Sequence, residues 1–437
     1  MKGTVDMKNV KNKKTPKWKI ALLVFESVVV LLYSVMTIFF VWYKVDRNSF
    51  ITSFSANPLV RMLLDYTAKE DYEKNVQDTD YNKENVKQNE GLTENVETYR
   101  NIALFGIDSR GNEFDDSTHS DTIIIVSINN KTGEVKMASV YRDTMLKIVD
   151  EDGDISYTKA NAAFFKGGPE CAINMLNTNL DLNITDYAVV NFTGLTKIID
   201  ALGGIDVTIS DEEQYYINGY LTETRIITGL DTPDVSSSGR VHLTGLQATA
   251  YCRIRYVTFT DEDGTKYYND MGRTARQRSV IKKVVEKAKT AGVGQVLDVA
   301  DSILHYNTED EKIITTSLSF NEVMDLIPTL MKFSLSESAG FPFTCDTPTI
   351  NGASMVVAQG LEYNVEKLHQ FLFGAEDYEP TDTVKTISDY LINYTGIPTV
   401  KLDEDIDEDD MGYNGYDDDY TNSYDDSYTN SYDTYDN

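Results

Sequence analysis

The chain has 437 residues, 41% of them hydrophobic, and a formal net charge of −30 at pH 7. A chain of this length can bury a sizeable core and has room for two or three domains. So strong a negative charge excludes general nucleic-acid binding, which requires a basic surface. The three cysteines (Cys171, Cys252 and Cys345) are widely spaced, so neither a disulfide framework nor a zinc site is expected.

The first predicted element is a membrane span. Ile20–Tyr43 is an apolar stretch interrupted by a single charge, Glu26. At about 1.5 Å per residue, a helix of this length crosses a hydrocarbon layer of about 30 Å. Residues 1–19 are rich in lysine, so the positive-inside rule places them in the cytoplasm. We therefore predict a single-pass protein of the cell membrane whose remaining residues are extracytoplasmic.

Composition divides the extracytoplasmic part into four segments. Residues 44–99 are polar and predict a stalk or linker. Residues 100–374 alternate apolar and polar runs and predict the main domain, followed by an extension over 375–402. Residues 403–437 contain many aspartates and tyrosines but no lysine or arginine, and they predict a disordered acidic tail.

Within the main domain, strands and helices alternate. Two runs rich in β-branched and aliphatic residues, Asn101–Ile107 and Thr122–Ile128, predict strands, and a turn at Asn130–Gly133 leads to a third strand. Helices are predicted downstream, among them Arg273–Ala291. An early hairpin followed by alternating strands and helices predicts an α/β domain with a mixed central sheet.

The helix Arg273–Ala291 begins with an unusual concentration of arginine in an acidic chain. Its apolar stripe (Ile281, Val284, Val285 and Ala288) continues back to Gln277, which is therefore expected to point inward. The same register places Arg276 on the solvated face and leaves Arg273 and Arg278 as rival neighbours of Gln277. A helix start with Gly272 before it favours an anion.

Further cations are candidates for the same anion. Arg253 and Arg255 are two residues apart in a stretch predicted to be extended, so they are expected to share one face. Guanidinium groups bind phosphate oxygens in a bidentate manner. Arg142, at the end of the third strand, and Lys159 are additional candidates.

Two carboxylates lie at strand ends joined by one loop. Asp108 follows the first strand and Asp121 begins the second, so we expect both at the same end of the sheet. Two carboxylates near phosphate-binding arginines favour a hard divalent cation, most naturally Mg²⁺. The competing interpretation is that both aspartates only cap the loop.

Several of these segments together resemble the LytR–CpsA–Psr family of bacterial cell-envelope proteins. The resemblance extends over about Asn101–Ala291. It is carried, in order, by FGIDSR, SDTIIIVSIN, YRDT, KANAAF, NFTGLTKIIDALGGIDV, LTGLQATAYCRIRY and GRTARQR. A single N-terminal span with an outside domain also agrees with this family.

The resemblance implies a fold, an activity and a set of site residues. The fold is an α/β/α sandwich, and the activity is the transfer of a glycopolymer from a polyprenyl-diphosphate carrier to peptidoglycan. Asp108 and Asp121 would hold Mg²⁺, and Asp270 would assist removal of the acceptor's proton. The resemblance selects Arg273 over Arg278. The pyrophosphate would be bound by Arg142, Lys159, Arg253, Arg255, Arg273 and Gln277.

Two alternatives remain open at the level of sequence. The same site with water as the acceptor would be a polyprenyl-diphosphate pyrophosphatase. A non-catalytic wall-binding or regulatory protein is the other, although pure binding would not require a pair of metal carboxylates. Neither the glycopolymer (teichoic-acid-like, capsular or another) nor the oligomeric state follows from the sequence. The expected setting is the envelope of a Gram-positive-type bacterium.

Overall fold

The computed structural model describes residues 69–92, 98–108, 118–291, 293–308, 312–330 and 334–401, all within one compact unit, Tyr66–Asn437. The predicted membrane span, Ile20–Tyr43, and the predicted acidic tail lie outside these residues. No helix in the described ranges is both long and apolar enough to cross a bilayer. The membrane span therefore stays a prediction from the sequence.

A six-stranded mixed sheet forms the centre of the described domain. Its strand order is β11–β6–β1–β2–β3–β12. β1 pairs antiparallel with β2 and parallel with β6, while β12 pairs parallel with β3. The predicted mixed central sheet is thus confirmed. The six strands are β1 (Tyr99–Ile107), β2 (Ser120–Asn129), β3 (Glu134–Val140), β6 (Asp186–Asn191), β11 (Ile314–Thr316) and β12 (Ser334–Phe341).

The other strands form small two-stranded sheets around the central one. They are β4 (Met145–Val149), β5 (Ile155–Lys159), β7 (Ile205–Ile209), β8 (Gly239–Leu243), β9 (Phe259–Thr260), β10 (Lys266–Tyr267), β13 (Cys345–Asp346), β14 (Thr349–Ile350), β15 (Ala353–Ser354) and β16 (Val357–Ala358). The helices are α1 (Ala162–Leu180), α2 (Phe192–Ala201), α3 (Asp211–Thr228), α4 (Gly245–Tyr251), α5 (Asn269–Ala291), α6 (Val293–Tyr306), α7 (Phe320–Leu330), α8 (Leu361–Phe373) and α9 (Asp382–Thr395). A 3-10 turn, Lys83–Asn85, precedes β1.

Both faces of the sheet are buried. Successive side chains of a strand point to opposite faces, and β1 follows this rule. Ala103 and Phe105 belong to a large core that also contains residues of α1, α8 and α9. Ile102 and Leu104 point the other way and pack with Leu326 of α7. Burial on both sides explains why β1 and β2 are continuous runs of apolar residues.

Part of the predicted stalk is packed against the domain. Tyr72 and Val76 lie in a hydrophobic cluster with Phe320, and the hydroxyl of Tyr81 donates to the carbonyl oxygen of Thr185 at 3.0 Å. For residues 69–92, the prediction of a mobile linker is therefore wrong. These few apolar residues stand in a polar stretch, and their partners lie more than 100 residues away, so the local pattern could not reveal the contact.

The extension after residue 374 packs in the same way. Val384, Ile387 and Leu391 of α9 belong to the core that contains Phe105 of β1. Thr381 caps α9 and also bonds to the buried carboxylate of Asp181, with its Oγ1 2.7 Å from Asp181 Oδ1. The described part of this segment is accordingly integral to the main domain.

One buried histidine predicts how the stability of the domain depends on pH. His369 is completely buried, its Nε2 lies 2.9 Å from the carbonyl oxygen of Leu180, and its ring stacks on Tyr378. Burial lowers its pKa to about 4, and the hydrogen bond to Leu180 and the charge of Asp181 only partly oppose this. The unfolded chain, with an ordinary pKa of about 6.5, takes up a proton between these two values that the folded chain does not.

We therefore expect the free energy of unfolding to fall by about 3 kcal/mol as the pH is lowered from about 6.5 to about 4. Denaturant titrations at a series of pH values measure this. His369→Phe should flatten the dependence in this window, because the titrating group is gone. His305→Gln, at an exposed position, is the matched control and should leave it unchanged. Equal pH dependence in both variants would contradict the assignment.

Candidate active site

The candidate site lies at one end of the β1–β2 pair. Ile107 at the end of β1 is opposite Ser120 at the start of β2. Asp108 follows Ile107, and Asp121 follows Ser120, so both predicted metal carboxylates lie at the same end of the sheet. The side chain of Asp121 is 30% exposed. Asp108 is half-buried.

Arg142, which follows the end of β3, contacts Asp121 at this end of the sheet. Its Nη1 donates to Asp121 Oδ1 at 2.6 Å. Its Nε lies 3.7 Å from Asp143 Oδ2 and 3.8 Å from Asp270 Oδ2. Lys159, the last residue of β5, reaches the other oxygen of Asp143 with its Nζ, at 2.8 Å.

The first turns of α5 complete the site. Arg273 Nη2 lies 3.0 Å from Asp270 Oδ1 and donates to the backbone oxygen of Asp121 at 3.1 Å. Arg255 Nε lies 3.9 Å from Asp270 Oδ1. These contacts join Asp121, Arg142, Arg255, Asp270 and Arg273 into one group, which we call the Asp–Arg cluster.

The charges of the cluster determine the protonation of its members. Burial alone would raise the pKa of Asp121, but the charges of Arg142, Arg273 and Arg255 and the hydrogen bond from Arg142 outweigh it and lower the pKa. Burial lowers the pKa of Arg273, although Asp270 opposes this; an arginine nevertheless stays protonated at neutral pH. Asp121 is therefore an anion and Arg273 a cation under physiological conditions.

Two donor atoms of the cluster are not used in hydrogen bonds by the residues that the structure describes. Among the residues that the structure describes, the buried Nε atoms of Arg142 and Arg273 have no hydrogen-bond acceptor. A buried donor without an acceptor is costly and calls for an explanation. Both atoms belong to guanidinium groups, whose planar forks match phosphate oxygens. Binding of a phosphate-type group at the cluster would satisfy them.

Comparison with known proteins decides the family. The model of the LytR_cpsA_psr family matches residues 62–363. The chain belongs to this family.

Curated relatives and a solved structure agree. The chain is 29% identical over 249 residues to "Polyisoprenyl-teichoic acid--peptidoglycan teichoic acid transferase TagU" of Bacillus cereus (strain AH820), which covers 56% of this chain and 71% of the relative. It is 35% identical over 191 residues to "Biofilm regulatory protein A" of Streptococcus mutans, with 43% of each chain covered. The crystal structure of protein gbs0355 from Streptococcus agalactiae matches with a TM-score of 0.53 at 25% identity, covering 70% of this chain and 97% of that one.

The two arginines that follow α4, Arg253 and Arg255, are arranged differently from the prediction. α4 ends at Tyr251, and Arg253–Tyr256 continue from a turn at Arg253 into an irregular segment rather than a strand. Ile254 is completely buried whereas Tyr256 is 71% exposed, so alternate residues do not share a face. The expectation of one shared face for Arg253 and Arg255 is therefore wrong, because the segment that carries them is not extended.

Arg255 and Arg253 consequently have different partners. Arg255 joins the Asp–Arg cluster. Arg253 Nη2 donates to Glu223 Oε2 of α3 at 2.7 Å, and its guanidinium lies over the ring of Phe192, 4.8 Å from the centroid. Burial raises the pKa of Tyr220, and the charges of Arg255, Arg253 and Arg273 oppose the rise. The charges of all three arginines therefore lower the pKa of the same group, the Tyr220 hydroxyl.

The inward face of α5 also differs from the prediction. Arg276 was expected in solvent but is 0% exposed, whereas Gln277 is only half-buried. Gln277 Nε2 lies 3.4 Å from the carbonyl oxygen of Cys252. The residues buried along this helix include Arg273, Thr274, Ala275, Arg276, Arg278 and Val280, so burial is not confined to one stripe. The prediction located the inward face of the helix from its apolar residues alone and assumed that Arg276, as a charged residue, faces solvent.

Gly272 has a packing role in this structure. A Cβ atom at residue 272 would lie 2.9 Å from the carbonyl oxygen of Tyr267, at the end of β10. The missing side chain thus allows α5 to approach the backbone of β10, and the anion expected at this helix start stays a prediction. α5 begins at Asn269, so Arg273 lies in its second turn and Asp270 in its first. An acidic first turn suits the helix dipole.

Asp143 is a site residue that the sequence interpretation missed. It bridges Arg142 and Lys159 and so connects Lys159 to the cluster. The available signal was its position next to Arg142 in YRDT. Arg278 stays outside this network: it is buried and faces the ring of Tyr267, 5.9 Å from the centroid.

The donors at this end of the sheet fit a magnesium ion that is shared with a substrate. Mg²⁺ is usually held by one or two carboxylates together with substrate phosphate oxygens. Asp108 and Asp121 supply two carboxylates at one end of the β1–β2 pair. Among the described residues, there is no group of three or more acidic, histidine or cysteine side chains that would bind a metal without a substrate. Binding of Mg²⁺ at these two carboxylates stays a prediction from the sequence.

Proposed function

We propose that this protein is a membrane-anchored phosphotransferase that moves a glycopolymer from a polyprenyl-diphosphate carrier to peptidoglycan. The observation that carries the proposal is the Asp–Arg cluster. It concentrates three guanidinium groups, two of them with unused buried Nε donors, around two aspartates at the end of the central sheet. Curated relatives are named as polyisoprenyl-teichoic acid–peptidoglycan transferases, and membership of the LytR_cpsA_psr family agrees with the α/β/α architecture and activity that the resemblance implies.

Each side chain of the cluster has a part in this reaction. Arg142, Arg255 and Arg273 bind the oxygens of the diphosphate and stabilise the negative charge that develops on them during transfer. Lys159, which is joined to the cluster through Asp143, and Arg253, which pairs with Glu223, contribute further positive charge, and Gln277 contributes an amide. Asp108 and Asp121 would hold Mg²⁺, which when bound neutralises part of the phosphate charge.

Asp270 is placed to accept the proton of the acceptor hydroxyl. Its carboxylate lies between Arg255 and Arg273 and its side chain is 28% exposed. The hydroxyl oxygen of peptidoglycan attacks the phosphorus that carries the glycopolymer. A new phosphorus–oxygen bond forms, the bond to the bridging oxygen breaks, and polyprenyl phosphate leaves with that oxygen. The diphosphate itself supplies the driving force, so no ATP is required outside the cell.

The site's location supports the same proposal. The predicted span, Ile20–Tyr43, would anchor the domain at the outer surface of the cell membrane, where the lipid carrier presents its diphosphate. We propose a single-pass membrane protein with an extracytoplasmic domain in a Gram-positive-type envelope. Which glycopolymer it transfers is left to experiment.

One reconstitution tests the activity. The full-length protein in detergent is incubated with a lipid-diphosphate glycopolymer, a peptidoglycan oligomer and Mg²⁺, and both products are measured. We expect a covalent polymer–peptidoglycan conjugate together with polyprenyl phosphate, and loss of both when EDTA is added. Polyprenyl phosphate without conjugate would indicate a pyrophosphatase. Binding of the substrates without either product would indicate a non-catalytic protein and would overturn the proposal.

A further inference from the structure

A second polar site lies at the opposite end of the central sheet. It is a cavity of about 410 Å³ around the first residues of β1 and β6. Arg100 and Ile107 are seven positions apart along β1, so the cavity is about 23 Å from the Asp–Arg cluster end. This volume is within the range of about 300–1,000 Å³ typical of small-molecule sites. The lining residues are Lys83, Gln88, Tyr99, Arg100, Asn101, Asn130, Asn183, Thr185, Asp186 and Glu322.

The charges in this cavity compensate one another. Lys83 Nζ lies 2.5 Å from Asp186 Oδ1 and 3.0 Å from Glu322 Oε1. Arg100 Nη2 lies 3.1 Å from Asp186 Oδ2 and 3.1 Å from Glu322 Oε1. Two cations and two anions thus form a closed network. A ligand with a net charge of either sign would have to break part of this network, which disfavours phosphates and ammonium groups.

Neutral polar groups make up most of the remaining lining. Four amide side chains and the hydroxyl of Thr185 present both donors and acceptors. Asn101 is only 3% exposed; its Nδ2 lies 2.6 Å from Asn183 Oδ1, and its Oδ1 has no hydrogen-bond partner in the part of the chain that the structure describes. A buried carbonyl oxygen in a polar cavity requires a donor. A ligand that donates a hydrogen bond would satisfy Asn101 Oδ1.

We propose that this cavity binds a neutral saccharide. A saccharide unit carries several hydroxyl groups that both donate and accept, as the amides and carboxylates here require, and its lack of charge leaves the ion-pair network intact. An apolar ligand would leave the same polar groups unpaired. The saccharide can come from the glycan strand of peptidoglycan or from the sugar part of a glycopolymer. Both share this chemistry, and the inference does not depend on the reaction proposed for the cluster.

The residues at the rim of the cavity allow a test that spares the fold. Gln88 and Asn130 are both exposed, so the double variant Gln88→Ala/Asn130→Ala should fold normally. Asn85→Ala, at an exposed amide of the neighbouring 3-10 turn that does not line the cavity, is the matched control. Binding of triacetylchitotriose to the full-length protein in detergent is measured by titration calorimetry and by saturation-transfer NMR.

We expect saturable binding by the parent protein and by Asn85→Ala, and a weakening of about tenfold or more in the double variant through the loss of two hydrogen-bonding side chains. Asn101→Asp, which adds a charge beside the network, should also weaken binding. Absence of saturable binding by the parent, or equal affinity in the double variant and the control, would overturn the proposal.

Two further ligands test whether the cavity binds the neutral glycan strand or a polyanion. An uncharged peptidoglycan-type glycan oligomer and a polyol-phosphate oligomer are titrated in the same way. Binding of the first supports the glycan strand, while binding of only the polyanion would overturn a neutral-saccharide site. Asp121→Asn is expected to bind triacetylchitotriose like the parent protein. The experiment therefore distinguishes loss of the transfer activity from loss of saccharide binding at this cavity.

Discussion

Replacement of Arg276 by alanine is expected to lower the free energy of unfolding by about 3–5 kcal/mol, because it leaves a buried carboxylate without its counter-charge. Arg276 is completely buried, and its Nε donates to Glu213 Oε1 at 2.9 Å. Glu213 is only 6% exposed. The guanidinium also lies near the rings of Tyr251 and Phe259, 5.8 and 5.4 Å from their centroids. Denaturant titration of the purified protein measures the loss.

A double variant separates the ion pair from simple loss of volume. Arg276→Met/Glu213→Gln removes both charges and retains much of the volume, so it should be less destabilising than Arg276→Ala. If the free energy of unfolding of Arg276→Ala lay within about 1 kcal/mol of the parent value, the buried ion pair would be contradicted. Exposed ion pairs contribute no more than about that amount.

Arg276 also connects the fold to the candidate site. Its Nη1 donates to the carbonyl oxygen of Ile254 at 3.2 Å, and its Nη2 to that of Val257 at 2.7 Å. These two carbonyls bracket Arg255, a member of the Asp–Arg cluster. We therefore regard Arg276 as a positioning residue for the turn that carries Arg255.

Replacement of Arg273 by alanine is expected to lower kcat of the proposed transfer by about 10²–10³-fold, the usual effect of removing one donor that stabilises transition-state charge. Arg273 contacts both aspartates of the cluster, and its buried Nε has no acceptor within the described residues. Arg273→Lys should recover little, because an ammonium group cannot reproduce the fork of a guanidinium. Single-turnover assays with lipid-diphosphate substrate measure the effect.

The control for this prediction is Arg240→Ala, which removes an exposed arginine of β8. It should leave kcat unchanged. A fall in kcat/KM caused only by a higher KM in Arg273→Ala would assign Arg273 to ground-state binding rather than to charge stabilisation. Unchanged kinetics in Arg273→Ala would exclude it from the site.

Local patterns were sufficient for much of the architecture. Apolar runs separated by a turn predicted β1, β2 and β3, and the alternation of strands with helices predicted a mixed sheet, because residue composition and turn chemistry are properties of neighbouring residues. Asp108 and Asp121 were expected together for the same reason: a hairpin-like pairing of β1 and β2 brings the end of one strand to the start of the other. Their role as metal ligands stays a prediction.

The inward face of α5 shows where local patterns fail. A helical stripe is located by its apolar residues, and this rule treats every arginine as solvent-facing. The burial of Arg276 depends on Glu213, which lies 63 residues earlier in the chain on α3. The resemblance to LytR–CpsA–Psr proteins pointed to Arg273, but not to this second, structural arginine beside it.

The amino-acid sequence alone was enough to predict β1, β2 and β3 of the central sheet, the family and five side chains that meet in the Asp–Arg cluster, since these follow from local composition and from short motifs. Tertiary packing determined the partners and the burial of the individual arginines. It placed Arg255 in the cluster and Arg253 against Glu223, buried Arg276, and linked Lys159 to the cluster through Asp143. The physical reason is that the cost of burying a charge is offset by partners distant in sequence, and only the folded chain brings them together.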